Sequence, residues 1–382
     1  MTALASLAEA AKGQFEPYFD ECLKFLLSLL TQYNDPCYKQ FKGQVIEAAT
    51  IMAASVGNDK FRPHAPVVVQ AMLEIQTRQL DSKDPQRTYL LSAWQRICLL
   101  MKKEFAPYLN DVIPSLFTMA TLNPEMGIQG STATGDIIDV LSEVKPDQVD
   151  NKAGDKGKHI NITTDEIEEK DVGIQMLAVF IDEMGGAFAP YVEPASKILL
   201  SLVTYEANDN IRNSVAGTLP GLIKCMKEAQ PGNQVVLINM GRTFMEHLWK
   251  AMSTETETDT LICQVQAMKE IIDEVGPGFM NQEAVDALTK HIFDMYQKSD
   301  DRIKENNLMA KNEHVDDDDD KLEADDLELI KEENNNEYDL QLSLAEIIGI
   351  IFKTHKELSG PLVSELFASV LPNAIANEEK QK

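Results

Sequence analysis

One short pattern recurs along the chain at nearly constant spacing. QFEPYF occupies residues 14–19, EFAPYL 104–109 and AFAPYV 187–192, with KFRPHA at 60–65 a looser copy. Their phenylalanines are Phe15, Phe61, Phe105 and Phe188, so the gaps are 46, 44 and 83 residues. The third gap reads as one period plus an insertion. Phe279 follows Phe188 by 91 residues, about two more periods, and Leu358 lies 79 further on. A chain that repeats one local signal every 40–47 residues or so stacks one small unit, because a unit that short cannot bury its own apolar face.

Each unit reads as two helices. Phe-x-Pro opens the first, A, since proline is accepted in a helix's first turn. FEPYFDECLKFLLSLLTQ then repeats its apolar residues near every 3.6 positions. A polar turn such as YNDP (33–36) or YEANDN (205–210) leads into the second helix, B, for example YKQFKGQVIEAATIMAAS. The spacing predicts A helices near 16–32, 62–79, 106–121, 189–204, 233–252, 279–297 and 358–375. It predicts B helices near 38–55, 86–102, 164–184, 209–228, 257–274 and 338–355, with 1–11 a lone B helix. The expected fold is all-α: one α-solenoid over 1–382, a superhelix of about six HEAT repeats with half-repeats at both ends. Neither end carries the polar cap of a terminal repeat, which suggests a segment of a longer protein. The Phe and Tyr of the motif are expected to fill the seam between one B helix and the next A helix.

Two stretches interrupt the rhythm. Residues 123–162 form a Gly-, Asp- and Lys-containing loop inside a repeat, with GDIIDVLSEV a possible extra helix. Residues 312–339 form an acidic insertion with Asp316, Asp317, Asp318, Asp319 and Asp320 in a row. That run reads either as a solvated linker or as a tethered loop that competes for a basic partner.

The formal net charge is −27, which disfavours nucleic acid and favours a basic partner. The five cysteines, Cys22, Cys37, Cys98, Cys225 and Cys263, are scattered without a CxxC pair, so reduced thiols are expected. No membrane insertion is expected, because no apolar run of about 18 residues stands out. HExxH, GxGxxG, GxxxxGK[ST] and GxSxG are all absent, and the six histidines share no ligand spacing. No enzyme, metal site or cofactor is therefore expected.

The B helices carry the candidate site. Removing their apolar positions leaves polar stripes for the concave face: Gln40, Gln44 and Glu47; Ser92 and Gln95 flanked by Tyr89 and Trp94; Asp171, Gln175 and Asp182; Asn210, Asn213 and Gly217; Thr260, Gln264 and Glu270. Amides can hydrogen-bond an extended peptide's backbone while carboxylates pair with its lysines. Arg96 and Arg212 are expected in ion pairs between repeats.

The residues also resemble a known family. YLLSAWQRICLLMKKEFAPYLNDVIPSL (89–116) and GGAFAPYVEPASKILLSLVTYEANDNIRNSVAGTLPGLIKC (185–225), with DEIEEKDVGIQML and the acidic run before EYDLQLSLAEIIGIIF, are similar to the centre of a karyopherin-beta nuclear transport receptor. The branch is that of importin beta-3 and importin-5. The resemblance implies a receptor that shuttles between cytoplasm and nucleus through the nuclear pore. It implies Lys-containing localisation signals of basic cargo proteins on the concave face and release of cargo by RanGTP. It also implies Phe-Gly nucleoporins in grooves between A helices, and main Ran contacts in N-terminal repeats that this chain lacks. The alternative is a HEAT scaffold subunit of an assembly with no transport role.

Overall fold

The computed structural model describes residues 2–33, 35–76, 84–122, 127–128, 160–161, 164–312 and 324–360. The helices are α1 (Thr2–Ala11), α2 (Glu16–Gln32), α3 (Lys39–Val56), the single turn α4 (Asn58–Phe61), α5 (Ala65–Gln76), α6 (Gln86–Met101) and α7 (Leu109–Ala120). There follow α8 (Thr164–Met184), α9 (Ala189–Leu202), α10 (Asp209–Ala229), α11 (Gln234–Met252), α12 (Thr258–Val275), α13 (Gln282–Asn312) and α14 (Ala324–Thr354). Pairs α2/α3, α5/α6, α7/α8, α9/α10, α11/α12 and α13/α14 are six two-helix repeats, and α1 packs on α3 as a preceding B helix. The fold is an α-solenoid, as the spacing predicts. The expected final A helix at 358–375 falls almost wholly outside the described residues.

Each B helix lies along the B helices before and after it, in the order α1, α3, α6, α8, α10, α12, α14. Successive A helices touch at few points. A stack crowded on one side and splayed on the other curves towards the crowded side, so the B layer is the concave face.

The recurrent phenylalanine sits where B turns into the next A. Phe61, Phe105 and Phe188 are completely buried, and Phe15 and Phe279 nearly so. Phe105 packs edge-on against Trp94 of the preceding B helix, with centroids 6.1 Å apart, and against Phe180 of the following B helix at 5.3 Å. The motif tyrosine lies beside its phenylalanine, as in Phe188–Tyr191 at 5.6 Å. A second element of the junction precedes each Phe by three or four residues: a positive φ at Lys12, Gly57, Lys102, Gly185 and Gly276. The reversal turns the chain sharply enough to drop the ring into the seam. Glycine suits it, and a lysine there is strained; at Lys102 φ is 49° and ψ −131°.

The repeats are stitched along both edges. Near the A-to-B turns, Lys39 meets Asp84 at 2.5 Å, Arg87 meets Glu169, and Arg212 makes a two-pronged pair with Glu255 at 2.8 and 3.0 Å. Along the junction edge Arg62 holds Glu104 through two hydrogen bonds of 2.7 and 2.6 Å.

Three features depart from expectation. The ends of the first insertion pair as a two-residue antiparallel ladder, β1 (Gly127–Ile128) with β2 (Ile160–Asn161), which closes its neck. GDIIDVLSEV lies outside the described residues. The last repeat is longer than the spacing predicts: helix continues to Asn312 and resumes at Ala324, so much of the expected acidic loop is helical. Its residues are polar around the helix and give no apolar period. Local pairs such as Lys304–Asp300 at 2.6 Å support it instead. Finally, an 18-residue window within Ile167–Leu202 is apolar enough on average to cross a membrane, although the sequence there holds no uninterrupted apolar run of that length. In the fold that stretch is α8 and α9 with the Gly185–Phe188 turn between them, and half of the window is buried inside the stack.

Phe105→Ala should cost about 3–5 kcal/mol in denaturant unfolding, the range for an emptied aromatic site. Lys102→Gly should stabilise by about 1 kcal/mol by relieving the left-handed backbone.

Candidate functional site

The concave layer brings most of the expected polar residues to one surface, in two grooves. Between α1 and α3, Gln44 and Glu47 face Glu9, with Gln40 exposed one turn earlier. Arg96 on α6 reaches this groove. Its guanidinium donates to the Thr50 hydroxyl at 2.7 Å, is held below its ordinary pKa by burial, and is partly restored by Glu47 and Glu9. Arg96 therefore offsets the acidity of the first groove. Its hydrogen bond is to a hydroxyl, so the expected ion pair takes the form of longer-range attraction.

The second groove runs between α8 and α10 and is lined by Gln175, Asp182, Ser214 and Gly217. Gln175 donates its amide to Asp171 Oδ2 at 2.9 Å, while Asp171 Oδ1 and Asn213 Oδ1 are buried without a hydrogen-bond partner among the described residues. Burial pushes both Asp171 and Asp182 above the usual carboxylate pKa. The Gln175 hydrogen bond offsets this at Asp171, and Lys224 does so at Asp182. Neither forms an ion pair among the described residues. Asn210 is exposed beside them at the start of α10, where Asn208 caps the helix by accepting from the Ile211 amide at 3.0 Å.

Several expected positions lie elsewhere. Trp94 is buried, and its indole donates to Gln76 Oε1 at 2.8 Å, so it is a core residue and not a flank of the stripe. Tyr89 is half-buried with its ring lying over Gly43 of α3, where a Cβ would collide with it at 2.3 Å. Ser92 is half-buried on the same helix. Gln264 and Thr260 are completely buried in α12, and neither side chain has a hydrogen-bond partner among the described residues. They belong to the packing face; Asp259, Gln266 and Glu270 are the exposed ones. Asp316 to Asp320 lie outside the described residues.

What the sequence did not signal is a lysine ladder on the C-terminal half of the concave face. Lys224 meets Glu270 at 3.7 Å, Lys227 meets Glu274 at 3.1 Å, Lys269 meets Glu346 at 2.6 Å and Lys353 meets Asp273 at 2.9 Å. Partners so far apart in sequence leave no local pattern. These four acidic residues are already matched, whereas Asp171 and Asp182 are not. No cluster of three or more possible metal ligands occurs among the described residues. All five thiols are free, and burial pushes Cys98 and Cys225 up to about 12.

Comparison with known proteins places this geometry in context. A family model described as Importin repeat 6 matches residues 260–372. Importin subunit beta-3 of Saccharomyces cerevisiae is 26% identical over 330 residues, covering 85% of this chain and 29% of that protein. A probable importin-5 homolog of Dictyostelium discoideum is 21% identical over 383 residues, covering 98% of this chain and 32% of its own length. The crystal structure of Kap121p bound to Pho4p superposes with a TM-score of 0.69 at 22% identity, over 96% of this chain and 33% of that one. Kap121p bound to RanGTP gives 0.65 at 23% identity, over 97% and 35%. The chain thus spans about a third of the relatives it matches.

The raised pKa of Asp171 and Asp182 means that ionisation works against the folded state. Their contribution to stability is greatest below the unfolded carboxylate pKa and declines as pH rises through the folded values. Asp171→Asn with Asp182→Asn should therefore stabilise the unliganded chain at neutral pH and have no effect in acid, read by urea unfolding at both pH values. Arg212→Ala should cost about 3–5 kcal/mol, because Glu255 stays buried and charged without its partner.

Proposed function

We propose that this chain, a karyopherin-beta, importin-type HEAT-repeat segment, is the cargo-holding part of a nuclear import receptor. The observation that carries the reading is the pair Asp171 and Asp182: two carboxylates partly stripped of water, without an ion-pair partner among the described residues, and flanked by amides on a concave layer. Such a surface has lost much of its hydration before a ligand arrives. The cationic side chain of a localisation signal supplies the missing charge at low further cost. Asn210, Asn213, Gln175 and, in the first groove, Gln40 and Gln44 are donors and acceptors for the main chain of the same segment. Glu47 takes a second lysine in competition with Arg96.

Other parts of the receptor cycle follow from the relatives. Kap121p structures exist with Pho4p, with Nup53p and with RanGTP. By analogy this chain's full-length protein binds basic cargo, releases it to RanGTP and contacts nucleoporins while moving between cytoplasm and nucleus. The convex groove between α11 and α13, lined by Met245, Trp249, Phe279, Met280 and Leu288, suits the phenylalanines of Phe-Gly nucleoporins. The scaffold alternative draws on the lysine ladder, which leaves the C-terminal half of the concave face with its charges satisfied internally.

The decisive measurement is a fluorescence-anisotropy titration of a Lys-rich localisation peptide at low and physiological salt. Saturable binding that weakens with salt, is lost in a Lys-to-Ala peptide, and falls at least about tenfold in Asp171→Lys with Asp182→Lys is the expected result. Unchanged binding in that double variant would remove the second groove from the reading. Absence of binding by the parent chain would favour a scaffold.

A further inference from the structure

The last repeat extends past the solenoid as an arm. Beyond Ser299 α13 runs on for 13 residues and before Leu340 α14 has 16, and side-chain hydrogen bonds link the two helices as far out as Asn307 and Asn334. The contact between them is unusually polar. Arg302 grips Glu337 through two hydrogen bonds of 2.6 and 2.8 Å, and Thr258 at the start of α12 donates to the same carboxylate at 3.0 Å. One turn further out, Asn306 donates to Asn334 Oδ1 at 3.1 Å and Asn334 donates to Asn307 Oδ1 at 3.3 Å. Meanwhile Leu308, Met309 and Leu329 stand 56%, 59% and 56% exposed. Ile303 is buried there and Ala310 and Ile330 are half-buried. Polar groups nevertheless hold the inner turns of the seam while the larger apolar side chains Leu308, Met309 and Leu329 face solvent, unlike a hairpin stabilised by an apolar seam.

The helical register puts two of these apolar residues on one flank. Seam positions 306 and 310 on α13 face 334 and 330 on α14. In antiparallel helices, the residue just before each seam position turns to the same side, so Met309 and Leu329 share a flank at nearly one level. Glu305, one turn back from Met309, and Glu333, one turn on from Leu329, lie on that flank too. Both line a cleft of about 390 Å³ at the base of the arm, together with Glu257 and Asp259 from the preceding repeat. Glu257, Asp259 and Glu305 form no ion pair among the described residues, and Glu333 meets the Asn306 amide at 3.4 Å. Among the described residues the cleft has one basic lining residue, Arg302, and it is engaged by Glu337.

We propose that this flank is a docking surface for a lysine- or arginine-containing peptide segment of a partner protein, with the basic side chains in the cleft and an aliphatic side chain against Met309 and Leu329. Charge complementarity selects that occupant. The described parts of the arm, 300–312 and 324–339, carry ten carboxylates and four basic side chains. An apolar surface ringed by that charge repels an acidic segment, gains nothing from a neutral polar one and attracts a basic amphipathic one. The site lies on the turn edge of the solenoid, apart from the concave grooves, and does not depend on cargo binding there.

The test uses the whole chain and two fluorescent helical peptides: one of Lys and Leu with the leucines on one face, and one with Ser in place of Leu. Titrations at physiological salt should give tighter binding of the Leu peptide. Glu305→Lys with Glu333→Lys should weaken it about tenfold or more. Met309→Ser with Leu329→Ser should reduce it to the affinity of the Ser peptide, and Asp171→Asn with Asp182→Asn should leave the Leu preference intact. All the arm positions changed are on the surface, and circular dichroism checks that each variant keeps its helix content. Equal binding of the two peptides by the parent chain, no response to either arm variant, or loss of the Leu preference on changing Asp171 and Asp182 alone would overturn the proposal.

Discussion

The burial of a phenylalanine at five of the B-to-A junctions is the constraint on which the rest depends. Phe105 is held between Trp94 behind it and Phe180 ahead, so a single ring belongs to two repeats at once. The ring reaches that seam because the backbone reverses through a positive φ three residues earlier. With the turn and the ring fixed, the angle and offset of the next two helices are fixed too. Each B helix then lands beside the previous one with the same faces aligned. Ion pairs such as Arg212–Glu255 and Lys227–Glu274 can therefore recur between neighbouring repeats, their members 43 and 47 residues apart.

The concave layer divides by how its carboxylates are satisfied. In the first groove Glu9 and Glu47 share the influence of one guanidinium, Arg96. At the C-terminal end, lysines from adjacent repeats meet Glu270, Glu274, Glu346 and Asp273. Between these zones, Asp171 and Asp182 bear a desolvation cost that the fold offsets only in part. A surface of uniform composition is thus uneven in electrostatic demand, and the demand peaks in the middle. A buried carboxylate that weakens the free protein is understandable if a ligand restores what was lost.

Much of this was legible in the sequence. The Phe-x-Pro period predicted the helix pairs of the first five repeats within a few residues but missed the extension of the last, and the order of motifs carried the family resemblance. The reading failed where facing partners decide the outcome. Trp94 looks like a surface aromatic until Phe105 covers it, and its one polar atom finds Gln76. Thr260 and Gln264 look polar and therefore exposed, but α12 is sandwiched among α10, α11 and α14, which buries more of its circumference than an amphipathic stripe implies. The arm escaped notice because its helices are held by asparagine amides and an arginine–carboxylate pair, which leave no apolar period. The reversals at Lys12 and Lys102 gave no glycine signal at all.

Both interruptions of the repeat, the insertion necked by the Gly127–Asn161 ladder and the arm, leave from turns between an A helix and its own B helix. The opposite rim holds the phenylalanine junctions described above, and these stay short. The two rims therefore have separate duties. One sets the pitch of the superhelix and tolerates no change in length. The other carries no part of that geometry, so segments can lengthen there without altering the curvature that the remaining repeats present. A solenoid organised in this way can acquire new appendages while its inner groove keeps its shape.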